Sequence, residues 1–110
     1  MRHGDKLTKK QKKHIREMAA AAYEREMSAA LDALFTVFQE WKRGGISPFA
    51  LDEKIHHYHD GVARELYKQY ATGHPDMAVL LALRRGTLQI EELNEDCRAF
   101  YQERLGRIRD

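Results

Sequence analysis

Residues 8–45 read TKKQKKHIREMAAAAYEREMSAALDALFTVFQEWKRGG. No proline interrupts this stretch. Apolar residues return every three or four positions, at Ile15, Ala19, Tyr23, Met27, Ala30, Leu34, Phe38 and Trp41, which is the helical period. Thr8 is suited to cap the start, and Gly44-Gly45 supplies the left-handed stop that ends many helices. The stretch therefore predicts one helix over residues 8–43. At 1.5 Å per residue such a helix spans about 50 Å. A compact domain of this length has a radius of gyration near about 13 Å. Part of the helix is thus expected to project, to break, or to pack against a second chain. The first half carries a thin, alanine-rich stripe, and small residues let helices approach closely. Ala19, Ala22, Tyr23, Met27 and Ala30 are accordingly expected at a homodimer interface. Towards the end the stripe widens to take in Leu31, Phe35 and Val37, and this half is expected to be buried on more than one side.

The helical pattern continues beyond the glycines. Ser47 is placed as an N-cap, with Pro48 at the first helical position, where a missing N–H costs nothing. A second helix is expected over 48–71, with Leu51, Ile55, Tyr58 or His59, Val62, Leu66 and Tyr70 on its stripe and Gly73 as its stop. Gly61 falls in its middle, where glycine costs about 1 kcal/mol relative to alanine, and would suit a close helix crossing. A short apolar helix over 76–85, closed by Gly86, and a fourth over 91–108 complete the pattern. Cys97 on the fourth reads as a small core residue. No stretch alternates as a strand would. The fold class is all-α, an irregular bundle of about four helices. The chain of 110 residues reads as a single domain over 1–110, with 1–8 a flexible basic arm.

Charge is unevenly spread. The total is +2. Residues 1–16 hold Arg2, Lys6, Lys9, Lys10, Lys12, Lys13 and Arg16 against Asp5. The excess of cations there makes Lys9, Lys10, Lys12, Lys13 and Arg16 candidates for contact with nucleic-acid phosphates. No aromatic interleaves with them, and no helix-turn-helix or zinc-finger signature follows. A single cysteine, Cys97, excludes a disulfide framework within the chain and a thiolate zinc cage built from one copy. No run approaches the roughly 18 apolar residues of a membrane span, and no apolar segment of a signal peptide follows the basic start. These features lead us to expect a cytoplasmic protein that does not enter membranes.

The densest chemistry lies in IHHYHDGVARELY, residues 55–67. On an α-helix, Asp52, His56 and Asp60 follow at intervals of four, and His56 and His59 at three, so neighbours could share a ligand. Imidazole with carboxylate suits zinc and other first-row divalent metals. His56, His59, Asp60 and Asp52 are therefore the candidate metal ligands. His59-Asp60 resembles the dipeptide of the HD-type phosphohydrolases, which are all-α metalloenzymes. That resemblance covers two residues and implies a further upstream histidine and a distant downstream aspartate. The run His57 to Gly61 is similar in spacing to the motif of histidine phosphotransfer domains, which are four-helix bundles. Asp60 stands where those domains carry lysine, and an anion there would repel a phosphohistidine. No catalytic residue is marked. The expectation is a non-enzymatic homodimeric interaction module that takes no cofactor. The alternatives are a divalent-metal-binding protein and a nucleic-acid-binding one.

Overall fold

A computed structural model describes residues 7–109, with side chains through residue 106. The start of the expected basic arm and the side chain of Ile108 lie outside the described residues. The chain is all-α, without a strand among the described residues. Helix α1 runs Lys9–Lys42, α2 Pro48–His57, α3 Arg64–Tyr70, α4 Pro75–Arg85 and α5 Glu95–Arg109. A π-helical segment, Tyr58–Ala63, joins α2 directly to α3, and a 3₁₀ turn, Ile90–Glu92, precedes α5. No helix here is long and apolar enough to cross a membrane.

Helix boundaries follow from local chemistry. At the start of α1, the Gln11 amide donates to Thr8 Oγ1 at 3.0 Å and the Thr8 amide donates to Gln11 Oε1 at 2.8 Å, a reciprocal cap that satisfies two donors. At its end Gly44 takes φ +84°, a conformation costly for any residue with a Cβ. The Gly45 amide returns to the Glu40 carbonyl at 2.8 Å. Ser47 caps α2 by accepting from the Ala50 amide at 3.0 Å, with Pro48 following. Gly86, at φ +83°, ends α4. Asn94 caps α5, its Oδ1 accepting from the Cys97 amide at 3.0 Å.

The helix expected over 48–71 gives out at Ala71, where Thr72 Oγ1 donates to the Lys68 carbonyl at 2.7 Å; two other expectations are corrected. Gly61 marks no helix crossing, since nothing lies within 4 Å of where its Cβ would be. It sits instead in the π segment, where turns close i→i+5 and the regular α ladder is lost. The fourth helix does not run unbroken from 91. The 3₁₀ turn carries its own cap, Glu92 Oε2 accepting from the Gln89 amide at 2.9 Å, before α5 begins.

The chain forms two compact units, residues 1–22 with 73–110, and Tyr23–Thr72. The first is built around Ile15, Ala19 and Ala22 of α1, Ala78, Val79, Leu80 and Ala82 of α4, Leu88 and Leu93 of the connection, and Cys97 and Tyr101 of α5, all buried. Polar bonds fix its register. His14 Nε2 accepts from the Asn94 amide at 3.0 Å, and Tyr101 donates to the Asp76 carbonyl at 2.9 Å. Burial, then the Asp76 carboxylate, pushes the Tyr101 hydroxyl far above its ordinary value. Burial, with Asp96 adding to it, likewise raises the Cys97 thiol.

The second unit is a helical hairpin, the later half of α1 against the helix from Pro48 to Tyr70. Tyr23 stacks on Tyr70 with centroids 5.2 Å apart. Tyr70 donates to Glu26 Oε2 at 2.5 Å, and Tyr58 donates to the Met27 sulfur at 3.0 Å. Its hydrophobic core is small: Leu51 and Leu66 are its only buried apolar side chains among the described residues.

Burial therefore inverts the expectation for α1. The alanine-rich early stripe finds partners within the chain, leaving Ala22 fully covered and Ala19 nearly so. The wide later stripe, expected to be buried on more than one side, leaves Leu31, Phe35, Phe38 and Trp41 exposed. Small side chains let the other helices of the first unit come close. The hairpin has one opposing helix, which covers only one side of a stripe two residues wide.

Candidate functional site

The histidine cluster lies on the second unit, across the junction of α2 and the π segment. His56 Nε2 is 3.5 Å from Asp52 Oδ2, and both side chains are about 70% exposed (69% and 71%). No ion pair joins His56, His57 or His59 to Asp60 among the described residues. The expected line Asp52, His56, Asp60 assumed α geometry throughout. The π turns begin at Tyr58, and their wider spacing takes Asp60 off the line set by a four-residue interval. Among the described residues, no three His, Cys, Asp or Glu side chains converge to hold a metal ion. The structure thus joins Asp52 with His56 and places His59 and Asp60 elsewhere.

His59 and Asp60 instead edge a depression of about 450 Å³, lined also by Tyr23 and Met27 of α1 and by Ala63, Arg64 and Tyr67. Its walls are aromatic and thioether groups and its rim is charged. The depression is open, and the side chains of His59, Asp60, Arg64 and Tyr67 are exposed.

The five candidate cations take the first two turns of α1. Lys9, Lys10, Lys12, Lys13 and Arg16 are all exposed, and Lys9, Lys12, Lys13 and Arg16 share one side of the helix by their spacing. Cations at a helix start oppose its dipole, so this arrangement does not help the helix form. Of the residues expected at a dimer interface, Ala19 and Ala22 are buried in the single chain and cannot meet a second copy without opening the first unit. Tyr23, Met27 and Ala30 are half-buried in the hairpin.

The residues that sequence reasoning placed in the core form the most prominent surface feature. Leu31, Phe35 and Phe38 follow at intervals of four and three, forming one exposed stripe on α1, with Phe35 61% exposed. Phe49 at the start of α2 is 85% exposed, and Val62 and Tyr67 are also exposed. Isolated apolar residues on a surface are ordinary. A contiguous stripe of large ones is the mark of an interface. The sequence signal was present in the width of the stripe, which is greater than a single opposing helix can cover.

No protein-family model, no curated protein and no solved structure matches the chain.

Proposed function

We propose that the chain is a non-enzymatic interaction module that self-associates through the exposed stripe Leu31, Phe35 and Phe38. One observation supports the reading. Among the described residues, the second unit carries almost all of the exposed large apolar side chains, while its own core comprises two buried ones. Covering apolar surface is worth roughly 25 cal/mol per Å², and aromatic residues dominate the energetics of such interfaces. A second copy is an apt occupant because the stripe has acidic and basic residues at opposite ends, Glu24 and Lys42, so two copies can be mutually complementary.

Sedimentation of the untagged full chain over a range of concentrations tests this. The expected result is a reversible dimer. Leu31→Glu with Phe35→Glu should give a monomer with unchanged helical content, because neither side chain contributes to a buried core. A wild-type chain that stays monomeric at high concentration, or a double variant that still dimerises, overturns the reading.

A further inference from the structure

The stripe has a symmetry that a second copy would use. Its members on α1 are Glu24, Leu31, Phe35, Phe38 and Lys42. At 100° per residue, these five fall within about 60° of one another around the helix, and each of them is exposed. Glu24 and Lys42 stand nine residues either side of Ala33, and Leu31 and Phe35 stand two either side. Phe38 stands five after it and Ser28 five before.

We infer that two copies pair along this stripe antiparallel, with a two-fold axis at the level of Ala33. This rests on the self-association proposed above and specifies its register. In that register Leu31 of each copy meets Phe35 of the other, Phe38 packs over the small Ser28, and Glu24 faces Lys42. A two-fold interface is isologous, so every contact occurs twice. Both charges at the ends are satisfied twice, and both aromatic–aliphatic contacts at the centre are made twice. Running the helices antiparallel also sets each positive helix end beside a negative one. A parallel pairing brings Glu24 to Glu24 and Lys42 to Lys42, so its charges repel at both ends. Register thus follows from charge, and affinity from Leu31, Phe35 and Phe38. Lys42 also lies over the Trp41 ring, 5.5 Å from its centroid.

Charge reversal tests the register. Wild type, Glu24→Lys, Lys42→Glu and the double reversal are compared by sedimentation equilibrium at low ionic strength. Circular dichroism confirms that each remains helical, as substitutions on exposed sites should allow. Each single reversal creates two repulsive pairs and is expected to raise the dimer dissociation constant about tenfold. The double reversal restores both attractive pairs and is expected to return the constant to within about twofold of wild type. Raised salt should shrink all of these differences. A wild-type chain that dimerises while single reversals leave its affinity unchanged, or while the double reversal fails to recover it, overturns the antiparallel register and leaves self-association standing. A wild-type chain that never dimerises overturns self-association itself.

Discussion

The two units of this chain use the same helix in opposite ways. In the first, α1 contributes Ile15, Ala19 and Ala22 to a core shared with α4 and α5, and Val79, Leu88, Leu93, Cys97 and Tyr101 are fully or almost fully buried there. In the second, α1 contributes larger apolar residues and fewer of them are covered. Leu31, Phe35, Phe38 and Trp41 remain exposed beside a core of Leu51 and Leu66. Side-chain size does not decide burial. The number of surrounding helices does, since a helix with neighbours on several sides hides even alanines, and a helix with one neighbour exposes even phenylalanines.

The contrast is broken most directly by truncation. Leu93→Ala in the first unit should cost about 2–5 kcal/mol, read by chemical denaturation. Phe35→Ala, measured at dilution where the chain is monomeric, should cost well under about 1 kcal/mol. Equal costs would mean that the second unit depends on Phe35 as the first depends on Leu93, and the comparison would fail.

Tyr101 sharpens it through pH. Its hydroxyl is held above the ordinary value of 10.0 by burial first and Asp76 second. The unfolded chain ionises this group near pH 10 and the folded chain keeps it protonated. Its contribution is therefore complete below about pH 10 and is lost as pH rises towards the folded value. Tyr101→Phe should cost about 1 kcal/mol at neutral pH, from the bond to the Asp76 carbonyl. It should also flatten the alkaline fall in stability. An unchanged alkaline slope would show that this hydroxyl ionises as readily in the folded chain as in the unfolded one.

Caps and surface pairs should matter less. Ser47→Ala removes the acceptor for the Ala50 amide and should cost about 1 kcal/mol, visible as a lower midpoint of thermal unfolding. His56→Ala separates a pair that is 3.5 Å apart and largely exposed, so its effect should fall within about 0.5 kcal/mol. A larger loss on changing His56, or one that appears only when zinc is added, would restore the histidine cluster as a site.

Much of the architecture was legible without coordinates. Thr8, Ser47 with Pro48, and the glycines at 44 and 86 act within a few residues of themselves, so capping chemistry marked four of the helix ends correctly. Cys97 showed its burial through its place on a helical stripe. The π segment was not legible, because the apolar period runs on through Tyr58–Ala63 and Gly61 alone does not distinguish a π turn from a weakened α turn. The histidine alignment depended on that geometry, and so it did not survive. The 3₁₀ turn was missed because three residues are too few for a period to show.

What the sequence alone determined is local: an all-α chain, where its capped helices start and stop, and which face of each is apolar. Those properties follow from backbone capping, side-chain volume and a 3.6-residue period, all of which operate over a few turns. Which apolar face is covered was decided only by the tertiary structure. That outcome depends on how many distant segments return to a given helix, and 73–110 return to its beginning while 48–70 alone return to its end. The stripe at Leu31, Phe35 and Phe38 reads as core in the sequence and stands as surface in the fold, because burial belongs to neighbours far along the chain rather than to the residues themselves.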